Sequence, residues 1–175
     1  VLLEPFDRCV DKKCLVGPVA DAKEIAERIR RAHSNFGLIV DLSHIPLLGE
    51  SAAQALRPIA HFLAHAHLGN CCLSPQDDPM FGDKHPRFGY KQGVNDIDEM
   101  VTFLEELFNI GYLNPTGDRP QGVSFEIKPM NNEVPEIMIA GAKRKLQTAW
   151  NRLRLSDSDD QAMRARFYRA RSRFQ

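Results

Sequence analysis

An alternation of short apolar runs with longer amphipathic segments is the feature that most constrains what this chain can fold into. The apolar runs, which we predict to be strands, are "VLL" at 1–3, "LIVD" at 38–41, "FLAHAHLGN" at 62–70 and "GVSFEIKP" at 122–129. The second run lacks the polar alternation of a half-exposed strand, as is typical of a strand covered on both faces. Strands that alternate with helices predict a parallel sheet of the α/β class.

The segments between and after these runs have the apolar spacing of helices. We predict helices over 19–34, 50–60, 95–113 and 133–153. Pro58 is expected to end or kink the second helix, and Asn95 is placed to cap the start of the third. The remaining long segment, residues 71–94, is a loop rich in Pro, Gly and Asp, and a loop of that length is usually functional or disordered.

Composition limits the classes of partner. The 175 residues are 43% hydrophobic and 26% charged, which suits one globular domain. Lys and Arg together number 23, as do Asp and Glu, so the net charge offers no general attraction for nucleic acid or an anionic membrane. No apolar run approaches the roughly 20 residues of a membrane span, and no signal peptide precedes the first run. We therefore expect a cytoplasmic location and no membrane partner.

At least one ionisable residue lies at the end of each predicted strand or just after it. They are Glu4 after the first strand, Asp41 with His44 after the second, His67 in the third and Glu126 in the fourth. A single acidic residue after a strand is usually solvated, and a single histidine in an apolar run is usually a hydrogen-bonded core residue. Repetition in four successive units is the stronger signal, because the carboxyl ends of parallel strands are where active sites form in such folds.

This set of side chains has the chemistry of a metal site. Carboxylates and imidazole are oxygen and nitrogen ligands that suit a divalent ion such as Mn, Mg, Co or Zn, with positions left open for substrate. A structural zinc would be expected to use cysteine, and no cysteine lies at these positions. The sequence therefore predicts a catalytic metal.

The same residues carry a resemblance to a known superfamily. "LEPFD", "DLSH", "HAHLGN" and "FEIKP", in that order, resemble the second half of xylose-isomerase-like TIM barrels over residues 1–153. That superfamily includes sugar isomerases, ketose 3-epimerases, hydroxypyruvate isomerases and zinc apurinic endonucleases. The resemblance implies a (β/α)8 TIM barrel, with strands five to eight and their helices in residues 1–155 and a polar, Arg-rich tail at 156–175.

The resemblance also implies a reaction and roles for individual residues. The chain would be a divalent-metal-dependent isomerase or epimerase that converts a sugar or sugar-like hydroxy-carbonyl compound through an enediolate. Glu4, Asp41, His67 and Glu126 would be the metal ligands. Glu4 and Glu126 would also move the proton, and His44 would hydrogen-bond a substrate oxygen. In the loop, Lys84 or Arg87 could stabilise negative charge, and Asn70 could contact substrate or serve a turn.

The loop leaves a second interpretation open. Asp83 and His85 in "GDKHPRFG" resemble the apurinic endonucleases, where such a pair joins the histidine of "D-x-x-H", here His44, to bind a further zinc. A zinc cluster of this kind would cleave phosphodiesters. The other explanation of "GDKHPRFG" is a polar loop stabilised by turns. Neutral net charge argues against a nucleic-acid substrate, although the arginines of the tail could contact one.

Only half of the expected barrel is visible in the sequence. An open four-stranded half would expose two sheet edges and an apolar inner face, which promotes aggregation. We therefore expect that an N-terminal half-barrel is missing from this sequence or that another chain, such as a second copy in a homo-oligomer, completes the barrel. A non-catalytic half-barrel that only binds a partner is the third functional hypothesis.

Overall fold

A computed structural model describes residues 1–113, 121–130 and 132–153. The elements are β1 (Leu2–Leu3), α1 (Val19–Arg30), β2 (Gly37–Asp41), α2 (His44–Leu48), α3 (Ala52–Leu56), a 3-10 helix (Arg57–Ile59), β3 (Leu63–Gly69), α4 (Ile97–Asn109), β4 (Val123–Glu126) and α5 (Pro135–Arg152). Strands and helices alternate as predicted, so the α/β class is confirmed. The predicted domain end at 155 and the tail at 156–175 lie outside the described residues.

The four strands form one parallel sheet in the order β1-β2-β3-β4. Each strand therefore pairs with the next strand along the chain, which is the order of a barrel cut open. In the register, Asp41 is the partner of His67, and Gly69 is the partner of Glu126. Because all four strands run the same way, their carboxyl ends lie at one edge of the sheet.

The two faces of the sheet differ in chemistry. On the helix side Leu38, Val40 and Leu68 are buried, and removing each such side chain from water contributes about 1.5–3 kcal/mol to folding. The other side carries mostly polar side chains, among them the partly exposed His65, the exposed Ser124 and the buried Asp41. The prediction of an apolar inner face is therefore wrong, because alternate strand positions on this side carry polar groups that water can solvate.

Helices α1, α4 and α5 cover the buried face. Helix α1 contributes small residues to the core, and α4 contributes large ones, among them Phe103, which is fully buried. The ring of Trp150 on α5 lies 5.6 Å from that of Phe108 on α4, which joins these two helices. No helix in the described part of the chain is both long and apolar enough to cross a membrane.

The predicted helix at 50–60 is two shorter elements. Helix α3 begins with a capping box of Ser51 and Gln54, and the 3-10 helix that contains Pro58 follows it. A proline has no N–H to donate into a continuing α-helix, which explains the change. The short helix α2 was not predicted; it begins shortly after β2, and its C-cap is Gly49, whose φ of 69° suits glycine.

The predicted cap of α4 is wrong by one residue. Asp96 occupies the N-cap, and its N–H donates to the Glu99 side chain at 2.9 Å. Asn95 is buried instead, and its amide group donates to the carbonyl oxygens of Leu42 at 2.9 Å and Gly69 at 3.2 Å. The side chain that resembled a cap therefore joins the ends of β2 and β3.

Candidate metal centre

The ends of the four strands bring the first group of ionisable side chains together. We call Glu4, Asp41, His67 and Glu126 the first group; one ligand atom from each lies within 4.8 Å of the others. His67 Nδ1 is 2.6 Å from Glu126 Oε2, 3.3 Å from Glu4 Oε1 and 3.6 Å from Asp41 Oδ2. Each of these residues lies in or directly after a different strand, so the parallel arrangement of the strands brings them to one point.

A second group lies beside the first. It consists of His44, Asp83 and His85, again with ligand atoms within 4.8 Å of one another. His44 Nε2 is 3.3 Å from Asp83 Oδ2, and His85 Nε2 is 3.0 Å from Asp83 Oδ1. His85 Nε2 also lies 3.4 Å from Glu126 Oε1, which links the two groups. Both sets of residues predicted from the sequence are therefore brought together; that they bind metal stays a prediction.

His44 is placed between carboxylates and is almost fully buried. Its side chain is 3% exposed, and Nδ1 lies 3.8 Å from Glu4 Oε1. The ring of Phe6 covers it, with ring centroids 4.6 Å apart. The contact between His44 and a substrate oxygen stays a prediction, which the small free surface of the imidazole does not favour.

Asn70 holds the long loop in place. Its side chain has no exposed surface, and its oxygen accepts the N–H groups of Cys71 at 2.9 Å and Asn95 at 2.8 Å. Its amide group donates to the carbonyl oxygen of Arg87 at 3.2 Å. Of the two roles expected for Asn70, the structure supports the turn and not the substrate contact, because every polar atom already has a partner.

The two loop cations predicted to meet substrate are bound elsewhere. Lys84 Nζ is 3.0 Å from Asp11 Oδ2, and Arg87 Nε is 2.8 Å from Glu133 Oε1. These ion pairs hold neighbouring loops together. The contacts therefore do not favour the predicted role of Lys84 and Arg87 in stabilising negative charge on a substrate.

Two residues of the centre were missed in the sequence. Lys12 places Nζ 3.6 Å from Asp83 Oδ2, so it is a cation that contacts the second group. Gly69 lies where the groups meet: a Cβ there would be 2.5 Å from Asp41 Oδ1 and 3.0 Å from His85 Nδ1. A glycine at the end of a strand was the available sign that other groups approach the backbone closely there. No feature of the sequence indicated that Lys12 would lie at the site.

Mutual interactions set the protonation of the first group. The facing carboxylates of Asp41 and then Glu4 raise the pKa of His67 to about 10. Burial would raise the pKa of Asp41, but His67, His44 and the Ser43 N–H together lower it. Burial, and then the charge of Asp41, raise the pKa of Glu126. The positive charge of protonated His67 thus offsets the negative charge of the carboxylates when no other cation is bound.

The second group behaves in the same way. Burial opposes the charged form of His44, but Asp83, Asp41 and Glu4 outweigh it and raise the pKa of this imidazole. Burial would raise the pKa of Asp83, yet His44, His85 and Lys12 lower it. Positive charge therefore stabilises this group as well.

Buried polar atoms test whether a metal ion fits these residues. Within the described residues, several such atoms have no hydrogen-bond partner: Glu4 Oε1, Asp41 Oδ2, both ring nitrogens of His44, His67 Nδ1, both Asp83 oxygens and His85 Nδ1. Such atoms are rare in native proteins, and each costs about 1–3 kcal/mol. Unpaired oxygen and nitrogen donors that face one another fit a divalent cation in both groups.

Comparison with known proteins gives matches of structure but not of sequence. No protein-family model matches the chain, and no curated protein matches it in sequence. D-psicose 3-epimerase from Clostridium cellulolyticum H10, solved with D-tagatose, has a TM-score of 0.56 and 16% identity, over 88% of this chain and 49% of that protein. The apo 3-keto-D-glucoside 4-epimerase from E. coli has a TM-score of 0.55 and 21% identity, over 85% and 45%.

A further D-psicose 3-epimerase structure, obtained in the presence of D-fructose, has a TM-score of 0.51 and 14% identity, over 86% of this chain and 46% of that protein. The chain spans about half the length of each of these epimerases. Which strands of a complete barrel it supplies stays a prediction. The fold is a partial (β/α) barrel, as the sequence predicted.

Proposed function

We propose that this chain is part of a divalent-metal-dependent isomerase or epimerase that acts on a sugar or sugar-like hydroxy-carbonyl compound. One observation carries the proposal: seven ionisable side chains converge at the carboxyl edge of a parallel sheet, and six of them have buried ligand atoms without a hydrogen-bond partner. The fold supports it, because the three solved structures described above, which resemble this chain, are sugar epimerases.

The first group is the proposed metal site. Glu4, Asp41, His67 and Glu126 would hold the ion, with Asp41 the most buried of the four. A divalent ion bound there supplies positive charge that stabilises the negative charge developing on a hydroxy-carbonyl compound as it loses a proton. Mn, Mg, Co and Zn all suit these ligands.

Glu4 and Glu126 are the proposed proton carriers. Their side chains are 18% and 40% exposed, so both reach the open side of the sheet, whereas Asp41 has no exposed surface. In the metal-free protein, burial and then the charge of Asp41 raise the pKa of Glu126, so this carboxylate can hold a proton closer to neutral pH before an ion binds. One carboxylate would remove the proton next to the carbonyl, and one would return it to the same or the neighbouring carbon.

The second group is proposed to bind a further cation rather than substrate. His44 and Asp83 are buried, and their facing atoms are unpaired. A second ion is also what a phosphodiesterase would need, but the balanced net charge does not favour a nucleic-acid substrate. The sugar epimerase folds support the isomerase instead.

The first experiment is elemental analysis of the full-length protein purified without chelator. Glu126→Gln and His85→Ala separate the two groups, and Asp98→Asn, at a carboxylate that is 85% exposed, is the control. We expect His85→Ala to retain the ion of the first group and Glu126→Gln to bind that ion more weakly. A protein that takes up no metal, even when metal is added, would contradict the proposal.

The reaction is tested separately by proton exchange. Ketoses incubated with metal-loaded protein in deuterium oxide should incorporate deuterium at the carbon next to the carbonyl, which nuclear magnetic resonance detects. Glu126→Gln should slow this exchange by at least about a hundredfold, the effect typical of losing a general base. Cleavage of an abasic-site DNA duplex without ketose exchange would establish the phosphodiesterase alternative.

A further inference from the structure

The loop after β1, residues 7–16, has a fixed shape. The Asp7 carboxylate is buried and accepts three backbone N–H groups, from Val10 at 2.5 Å, Asp11 at 2.9 Å and Lys12 at 2.9 Å. Burial would raise its pKa, but these N–H groups hold it below the ordinary value, so the carboxylate stays charged. The loop therefore presents its next side chains in defined directions.

Asp11 on this loop contacts the segment that supplies the second group. Its Oδ2 accepts the backbone N–H of Asp83 at 3.0 Å, and its Oδ1 accepts a hydrogen bond from Lys84 Nζ at 3.1 Å. The approach requires Gly82, which has a φ of +84°, because a Cβ there would lie 2.7 Å from both the Cβ and Oδ2 of Asp11. The two loops are therefore fitted to each other at this point.

Backbone hydrogen bonds hold the same segment at both ends. Gly82 exchanges two backbone hydrogen bonds with Cys72, at 2.8 and 3.2 Å, and the His85 carbonyl oxygen accepts the N–H of Lys128 at 2.7 Å. A substitution at Asp11 leaves these hydrogen bonds intact, so the loop should still fold. What it removes is the acceptor for the N–H of Asp83, the central residue of the second group.

We propose that Asp11 is a positioning residue that fixes Asp83 and His85 and thereby sets the cation affinity of the second group. Asp11 contacts no ligand atom of either group; it acts through the backbone of Asp83 and the side chain of Lys84. Partners of this kind typically change metal affinity by about 10- to 100-fold when they are removed. The inference rests on the proposed function, since it takes the second group to be a cation site.

The test is titration of the full-length protein with Co²⁺, followed by visible absorption and calorimetry. Asp11→Ala should weaken binding of the second ion by about 10- to 100-fold and leave the first ion unchanged. Asp11→Asn keeps an oxygen that can accept the Asp83 N–H, so it should recover most of the affinity. His85→Ala, which removes a ligand, and Asp98→Ala, at an exposed carboxylate, are the controls, and thermal unfolding of the metal-free variants checks that they fold.

The outcomes are distinct. Weakening of the second ion in Asp11→Ala, with recovery in Asp11→Asn, supports the inference. Equal second-ion affinity in wild type and Asp11→Ala overturns it, as does equal loss of both ions. Binding of only the first ion by the wild-type protein overturns the inference and leaves the proposed function standing, whereas binding of no ion overturns both.

Discussion

The two groups of ligand residues are built in different ways. The first is placed by strands: its residues follow or end β1, β2, β3 and β4, and the hydrogen-bonded register of the sheet sets their distances. The second takes Asp83 and His85 from a long loop, which Asn70 and Asp11 hold in place. A site built on strands shares the stability of the core, whereas a site built on a loop depends on a few polar contacts.

The largest expected effect comes from the first group. Asp41→Asn keeps the shape of the side chain but removes the charge of a fully buried ligand. We expect loss of the first ion and a fall in ketose proton exchange of at least about a thousandfold, because the site loses one of its negatively charged ligands. Elemental analysis and deuterium incorporation are the measurements. Retention of the ion and of exchange would show that the strand-built group is not the centre.

The second largest effect tests the dependence of the loop on Asn70. Asn70→Ala leaves the buried N–H groups of Cys71 and Asn95 without their acceptor, so we expect a loss of about 2–4 kcal/mol in the free energy of unfolding. Chemical denaturation measures it. Asn109→Ala, at an exposed amide, is the control and should change stability by less than about 0.5 kcal/mol. An equally small change in Asn70→Ala would contradict the proposed anchoring.

A third prediction concerns the pH dependence of the metal-free protein. His67 has a folded-state pKa of about 10, above its ordinary value of 6.5. Its protonation therefore stabilises the fold fully below about pH 6.5, and this stability is lost as the pH rises through 10. Denaturation in the presence of chelator should show that the free energy of unfolding falls between about pH 6.5 and 10. The fall should be smaller in His67→Gln. His61→Gln, at an exposed histidine, should keep the wild-type profile.

The smallest expected effect concerns Lys12. Its ammonium group lies near Asp83 but is 39% exposed, so solvent screens its repulsion of a cation. Lys12→Met should strengthen binding of the second ion by about two- to tenfold and leave the first unchanged. Lys23→Met, which removes an exposed helical lysine, should change neither. Weaker binding in Lys12→Met would mean that the lysine supports the second group instead.

Much of the first group could be predicted because it depends on local patterns. A strand has a period of two, so the position of Asp41 at the end of an apolar run fixes both its face and its edge of the sheet. The same pattern predicted His67 and Glu126. The partners of Lys84, Arg87 and Asn70 could not be predicted, because which partner a loop side chain takes depends on residues far away in the sequence.

The sequence by itself determined the alternation of strands and helices, the parallel sheet and the carboxylates and imidazoles at the strand ends. These follow from apolar periodicity and from the direction that the chain must take in a parallel sheet. Only the tertiary structure decided that Asp11 would meet Asp83, 72 residues away, and that Asn95 would join two strand ends instead of capping a helix. Such contacts depend on which loops meet after folding, and no local pattern in the sequence specifies them.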